Sequence, residues 1–165
     1  MDLDVAEYRA LVRTKDYFQF LCQCGLRYGD FQNLRCNDLE YSADGLLWLS
    51  MVQEKTRGQL SFPLTPIAKK IVEHYKGNKS GNQFVFERLS NQVMNNHLRT
   101  IKTMVGIKNQ VSCHTGRHTF AVQSIDKGVS LEVIQRLLGH KSISSTQIYA
   151  QISRKKLTDS IFLLS

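Results

Sequence analysis

Apolar positions follow a helical period along most of this 165-residue chain and alternate in one stretch. A helix is predicted from the opening residues to about Cys24, with Thr14 as a candidate cap, and a second helix follows from Leu26. Between Leu39 and Leu64 the period changes to two, which predicts a small three-stranded antiparallel sheet. Lys55 to Gly58 would form a hairpin tip.

Two helices are predicted after the sheet. The first begins at Thr65-Pro66, an N-cap followed by proline at the first helical position, and stops at Gly77. The second begins at Ser90 and is closed by Gly106. Its inward-facing positions are predicted to be Val93, His97, Ile101 and Val105. Since no repeat or linker divides the chain, one α+β, mainly helical domain over residues 1–165 is expected.

The last third of the chain contains a helix that carries two polar residues on one face. Ser112 can cap this helix, and Gly128 can end it. His114 and Arg117 are spaced i, i+3, so both side chains leave the helix in the same direction.

Two further short helices are predicted before residue 150. One starts at Ser130 and stops at Gly139, so His140 lies directly after a helix end. Ser144, Ser145 and Thr146 offer a start for the other. That helix would carry Tyr149.

The net charge of the chain indicates a class of binding partner. Lysine and arginine number 22 against 14 acidic residues, so the net charge is 22 − 14 = +8 and the isoelectric point is about 9.5. This surplus favours an anionic partner, with nucleic acid ahead of an acidic membrane. A merely soluble basic protein is the alternative.

The cysteines and the hydropathy exclude several classes of protein. Cys22, Cys24, Cys36 and Cys113 form no CxxC pair and no metal-ligand spacing, so we expect reduced thiols in a cytoplasmic protein. There is no signal peptide, and no apolar run approaches about 18 residues. Neither secretion nor membrane insertion is indicated.

The motifs of the last third resemble the C-terminal catalytic domain of the tyrosine recombinases, also called phage-type integrases. The sequence HTGR at His114–Arg117 is similar to the family's H-x-x-R, Leu138–His140 to its L-G-H, and Tyr149 to the nucleophile nine residues on. Upstream, GLRYGD at Gly25–Asp30 resembles the motif that supplies the first arginine. QEKT at Gln53–Thr56 resembles the segment that supplies the lysine.

The resemblance implies cleavage of a phosphodiester by Tyr149, which would become joined to a 3′-phosphate. The aryl phosphate remains a good leaving group, so the strand can be rejoined without ATP. Arg27 and Arg117 would hold the non-bridging oxygens, because a planar guanidinium matches phosphate. No metal or other cofactor is implied.

The remaining roles are implied in the same way. His140 would donate a hydrogen bond to a non-bridging oxygen, His114 would accept or relay the proton of the tyrosine, and Lys55 would protonate the departing 5′-oxygen. Asp30 would orient the first arginine. His118 competes for the role of His114, but the i, i+3 spacing favours the latter.

The implied partner is double-stranded DNA, bound by a homo-oligomer, expected to be a tetramer, with a monomer in isolation. Its DNA-binding residues would be Arg27, Lys55, Arg57, Arg117, His140 and Lys141. Residues 151–165 are basic and then apolar, and they would pack on their own domain or on a neighbouring protomer.

Two departures from the family pattern stand out. Gly116 replaces the usual Leu or Met and should loosen the start of its helix by roughly 0.5–1 kcal/mol. Asp30 is shorter than the usual Glu. In addition, family members generally carry a helical domain before this one, which 1–165 does not contain, so a fragment or trimmed chain is expected.

Two alternative functions remain open at this stage. One is a DNA-binding accessory module that keeps the fold without cutting. The other is a type IB topoisomerase, which shares the chemistry but usually has Lys in place of the first His of H-x-x-R. Each polar residue taken singly also has an ordinary structural explanation.

Overall fold

The computed structural model describes residues 4–150. Its helices and strands, in chain order, are α1 (Val5–Cys24), α2 (Tyr28–Gln32), a 3-10 turn (Cys36–Asp38), β1 (Leu39–Tyr41), β2 (Leu47–Val52), β3 (Gln59–Pro63), α3 (Pro66–Lys76), α4 (Asn91–Met104), α5 (Cys113–Asp126), α6 (Leu131–Leu138) and α7 (Ser144–Ala150). The mainly helical class with a small sheet is confirmed.

Helix α1 is the central element, and α3, α4 and α5 pack around it. Asp4 caps its start by accepting from the Glu7 N–H at 2.7 Å, and Gly25 ends it with a φ of 66°. Thr14 is not a cap, so that prediction was wrong. It lies in mid-helix, fully buried, where its hydroxyl donates to the Ala10 carbonyl at 2.9 Å.

The sheet has the order β1-β2-β3 and is antiparallel throughout, as predicted. The register of the sheet pairs Leu49 of β2 with Leu39 of β1 and with Phe62 of β3. Alternate residues of β2 and β3 are buried because one face of the sheet covers the core. The β2–β3 connection therefore projects from the sheet with Lys55 in it.

The inward face of α4 was predicted correctly at His97, which bonds the buried Thr14, and wrongly at Val93 and Val105. Met94 and Leu98 are buried, whereas Val93 and Val105 are 39% and 61% exposed. A shift of one residue turns a helical face by about 100°. Both faces contain apolar residues, so the choice between them depended on packing against α1.

Close approach of α5 to α1 explains Gly116. A Cβ at this position would lie 2.9 Å from the Leu21 Cβ and 3.5 Å from the Cys22 backbone nitrogen. Real Cβ atoms almost never approach so closely, so a larger residue requires the helices to separate. Glycine at this departure from the family pattern is thus matched to the spacing of the two helices.

We expect Gly116→Leu to lower the free energy of unfolding by about 1–3 kcal/mol, because overpacking at a rigid helix contact outweighs the gain in helix propensity. Urea denaturation followed by circular dichroism measures the change. Thr103→Leu, on the exposed side of α4, is the matched control and should change stability little. Unchanged or increased stability of Gly116→Leu would mean that α5 is not held close to α1.

Buried apolar residues form two clusters. The larger one joins α1, the sheet, α3 and α4. The smaller one joins α5, α6 and α7 through Ala121, Ile125, Ile134, Leu138 and Tyr149. The second cluster fixes α7, and with it Tyr149, against the rest of the domain.

The four cysteines are free thiols, and three of them are buried. Among residues 4–150, no helix is long and apolar enough to cross a membrane. The C-terminal segment 151–165, for which two docking modes were expected, lies outside the described residues.

Candidate active site

Arg117 connects two helix ends at the centre of the site. It is 3% exposed, and its two terminal nitrogens donate to the Gly25 carbonyl at 2.7 Å and to the Leu138 carbonyl at 2.8 Å. Carbonyls at helix C-termini lack intrahelical donors and carry partial negative charge, so they suit a buried cation. These bonds use two of the five N–H groups, and the guanidinium also has a hydrogen-bonding contact with the Tyr149 side chain.

Arg27 follows one of these helix ends and precedes α2. Its Nη1 lies 3.8 Å from the Asp30 carboxylate, beyond hydrogen-bonding distance. That nitrogen is buried and has no hydrogen-bond partner among the described residues. An unpartnered guanidinium nitrogen beside a cavity is costly unless a ligand satisfies it, so Arg27 is placed to receive an anion.

Asp30 also holds the hairpin that carries Lys55. Its Oδ1 accepts from the Glu54 N–H at 2.9 Å, and its Oδ2 lies 3.5 Å from the Gln53 amide nitrogen. The Gln53 amide donates further to the Leu138 carbonyl at 3.3 Å. One buried carboxylate and one buried amide therefore join α2, the hairpin and the end of α6.

His140 follows Gly139, whose φ of 61° ends α6. The His140 Nδ1 lies 2.9 Å from the hydroxyl of Thr146 on α7. Thr146 is fully buried. The Nδ1 side of the His140 ring is thus hydrogen-bonded to α7, the short helix that also carries Tyr149.

Tyr149 is 4% exposed and lies between two imidazoles. The His118 ring meets it edge-on with centroids 5.1 Å apart, and the His140 ring is nearly parallel at 6.4 Å. His118 therefore packs against the phenol ring itself. His114 is exposed one turn earlier on α5.

Two cavities meet at these residues. The reaction cavity, of about 490 Å³, is lined by Arg27, His114, Arg117, His140 and Tyr149, together with Ser144, Ser145 and Ile148. The adjoining cavity, of about 570 Å³, shares Arg27, His114 and Arg117 and adds Lys55. Residues separated by up to 122 positions in the sequence thus surround one space that is rich in cations.

Burial, aided by neighbouring cations, lowers the pKa of three groups that line the reaction cavity. Burial lowers the pKa of Arg117 to about 10, and Arg27 adds to this effect, while Tyr149 and Asp30 oppose it. Burial, followed by Arg117 and Arg27, lowers the pKa of His140 to about 4. Burial and the neighbouring cations also lower the pKa of His114. At neutral pH Arg117 stays charged, and His140 is neutral.

The depressed pKa of His140 predicts a loss of stability in mild acid. Between about pH 6.5, the usual value in an unfolded chain, and about pH 4, the unfolded chain binds a proton that the folded site does not, so the free energy of unfolding falls as the pH falls. Urea unfolding at pH 7, 6 and 5 measures this slope, which should be shallower in His140→Gln. The exposed His74→Gln is the matched control, and equal slopes in all three proteins would contradict the assignment.

Two predicted DNA-binding residues, Arg57 and Lys141, line neither the reaction cavity nor the adjoining one. Lys141 lines a third cavity of about 480 Å³ that also includes His140 and Gln53. Arg57 is exposed at the hairpin with a φ of 55° and lines none of the three cavities. Within residues 4–150, no group of His, Cys, Asp or Glu is placed to hold a metal ion.

Sequence reasoning predicted the start of α7 at Ser144–Thr146 correctly, but it missed the contacts made by Gln53 and by the Thr146 hydroxyl. Gln53 was noted only as part of a motif, although it is fully buried and joins three elements. Thr146 was interpreted as part of a helix start, yet its hydroxyl bonds His140. A polar residue two places before the hairpin lysine was the only available signal for the first.

Comparison with known proteins shows the family of this chain. The model of the phage integrase family matches residues 3–156. This chain belongs to the phage integrase family. Among its relatives, a tyrosine recombinase of Pseudothermotoga lettingae is 31% identical over 159 residues, which cover 92% of this chain and 54% of the relative.

A second relative, the tyrosine recombinase XerD of Lacticaseibacillus casei, is 30% identical over 158 residues, which cover 88% of this chain and 53% of that protein. The chain thus spans about half the length of the curated relatives it matches. Solved structures share the fold. XerA recombinase has a TM-score of 0.73 at 22% identity, covering 99% of this chain and 64% of that one.

A complex of XerH recombinase with its difH substrate, described as post-cleavage, has a TM-score of 0.73 at 17% identity and covers 98% of this chain and 47% of that one. At these identities the likeness establishes the fold alone. The predicted tyrosine-recombinase catalytic-domain fold is confirmed.

Proposed function

We propose that this chain is the catalytic domain of a site-specific DNA recombinase that cleaves and rejoins strands through a 3′-phosphotyrosine. The observation that carries the proposal is the reaction cavity, in which the phenol of Tyr149 meets Arg27, Arg117 and two histidines. Its relatives are named tyrosine recombinases, and solved structures of the same fold contain DNA substrates.

In the proposed cleavage step the Tyr149 oxygen attacks phosphorus, and the bond from phosphorus to the 5′-oxygen breaks. The phenolic proton passes to solvent or to His114, which lines the same cavity. The departing oxygen takes a proton from Lys55 in the adjoining cavity. No net hydrolysis occurs, because the phosphate is retained on tyrosine and a 5′-hydroxyl can reverse the step.

Charge stabilisation comes from the two arginines. Arg117 has N–H groups left after its two carbonyl contacts, and Arg27 has a buried nitrogen without a partner. Donors already fixed in position stabilise the developing phosphorane without reorganisation. His140, being neutral, would add a single hydrogen bond to a non-bridging oxygen.

DNA would lie across both cavities and contact the exposed cations next to them. Lys55, Arg57 and Lys141 are exposed and would contact neighbouring phosphates. Affinity dominated by phosphate contacts should fall steeply with salt. We further propose a tetramer on DNA and a monomer alone.

The test is a search for a covalent adduct. The chain is incubated with a pool of nicked duplexes of randomised sequence. After cleavage the short 5′-hydroxyl fragment diffuses away, so the strand cannot be rejoined and the covalent adduct accumulates. Adducts stable to heat and detergent are digested and mapped by mass spectrometry. We expect a nucleotide joined through its 3′-phosphate to Tyr149, and sequencing of the trapped DNA yields a preferred duplex for kinetic work.

Binding without an adduct would favour the accessory-module alternative, and an adduct on another residue would contradict the assignment of the nucleophile. Relaxation of a supercoiled plasmid by the chain alone would instead favour the topoisomerase alternative. Each outcome is read from the same protein preparation.

A further inference from the structure

Two threonine–histidine pairs in this domain have the same oxygen-to-nitrogen distance, but the donor of the hydrogen bond differs between them. The hydroxyl oxygens of Thr146 and Thr14 lie 2.9 Å from Nδ1 of His140 and of His97, respectively. Both threonines are fully buried. A threonine hydroxyl has one hydrogen to donate, so its other contacts decide which partner supplies the hydrogen in each pair.

The hydrogen of Thr14 is already used. Its hydroxyl donates to the Ala10 carbonyl at 2.9 Å, so the oxygen must accept from the Nδ1–H of His97. The hydroxyl of Thr146 has no other hydrogen-bond partner within residues 4–150. Its hydrogen is therefore free to go to Nδ1 of His140.

We propose that Thr146 is a positioning residue that donates to Nδ1 of His140 and thereby keeps the hydrogen of this imidazole on Nε2. The opposite nitrogen is then a donor, as a non-bridging phosphate oxygen requires. The inference rests on the proposed function, because it assigns how one of the phosphate donors is prepared.

The choice of tautomer matters because this histidine is neutral. Burial and the neighbouring Arg117 and Arg27 lower the pKa of His140 to about 4, so at neutral pH the ring has one hydrogen and can donate from one nitrogen only. A hydrogen on Nδ1 would turn a lone pair toward the phosphate and repel it. The partner of Nδ1 therefore decides whether His140 helps or hinders.

The same contact connects His140 to the nucleophile. Thr146 precedes Tyr149 by three residues on α7, one helical turn, so both lie on the buried side of this helix. The imidazole and phenol rings are nearly parallel, with 10° between their planes. Packing of α7 against the domain thus positions both His140, the proposed phosphate donor, and Tyr149, the proposed nucleophile.

Nuclear magnetic resonance of the histidine side-chain nitrogens tests the tautomers without any DNA. In protein with 15N-labelled histidine at pH 7, we expect the hydrogen on Nε2 in His140 and on Nδ1 in His97. Spectra of His140→Gln and His97→Gln assign the signals. A hydrogen on Nδ1 of His140 in the wild-type protein would overturn the proposal.

Single-turnover cleavage of the duplex recovered from the pool tests the consequence. Thr146→Val, which removes the hydroxyl at nearly constant volume, should slow adduct formation about 10-fold, as loss of an orienting partner typically does. Thr146→Ser should stay within about twofold of wild type. The matched control Thr14→Val removes the hydroxyl of the other pair and should also stay within about twofold.

A purely structural role would give a different pattern. If Thr146 acts through His140, Thr146→Val added to His140→Gln should slow the reaction no further. Additive losses, or no rescue by serine, would overturn the proposal. Absence of any adduct in the wild-type protein would sink the proposed function, while the tautomer spectra would still decide the hydrogen bond.

Discussion

The Tyr149→Phe variant is expected to form no detectable covalent adduct while binding the recovered duplex within about twofold of wild type. The substitution removes the only oxygen that this side chain can offer to phosphorus, and the other groups lining the cavity stay in place. Denaturing gel electrophoresis of the trapped adduct measures the reaction, and a gel shift at low salt measures binding.

The folded state should tolerate this change. Tyr149 packs its ring against α5 and α6 in the smaller apolar cluster, and phenylalanine keeps that ring. The matched control is Tyr8→Phe, which removes a phenolic hydroxyl that is far from the cavities and 59% exposed. If Tyr149→Phe still formed the adduct at the wild-type rate, another residue would have to be the nucleophile.

Arg117→Lys is expected to slow cleavage by roughly 10²–10³-fold, the usual effect of losing a fixed donor to a developing oxyanion. The reason is geometric. Arg117 reaches the carbonyls of Gly25 and Leu138 and still has N–H groups left for the phosphate. An ammonium group carries three hydrogens at one point and cannot serve both carbonyls and a phosphate at those separations.

Stability should fall together with activity in this variant. The Leu138 carbonyl keeps the Gln53 amide as a donor, but a buried Gly25 carbonyl left without one costs about 1–3 kcal/mol, so Arg117→Lys should also unfold at lower urea concentration. Arg99→Lys, on the exposed side of α4, is the matched control and should change neither quantity. Loss of activity at unchanged stability would mean that the two carbonyl contacts contribute little to the fold.

The arrangement explains why glycines precede two of the site residues. Gly25 and Gly139 both end helices in the left-handed region, and the carbonyls at those ends accept from the same guanidinium. Each helix end then delivers the next polar residue, Arg27 or His140, to the reaction cavity. Arg117 is therefore both a phosphate ligand in the proposed reaction and the residue that sets the positions of its neighbours.

Helices and strands whose signals lie in neighbouring residues could be predicted from the amino-acid sequence alone. Caps at Thr65, Ser90 and Ser130, glycine ends at Gly25 and Gly139, and the alternation from Leu39 to Leu64 all appear as predicted, because such signals depend on residues within one turn or one strand. The resemblance of the polar motifs to the family pattern likewise predicted residues that line the reaction cavity.

Which surfaces meet depends on long-range packing. The buried side of α4, the need for Gly116 against α1, the junction at Gln53 and the bond from Thr146 to His140 each depend on residues brought together by packing. Gln53 and Leu138 are 85 positions apart, and no local propensity encodes such a contact. The local pattern therefore specified the chemical groups, and long-range packing specified their directions and hydrogen bonds.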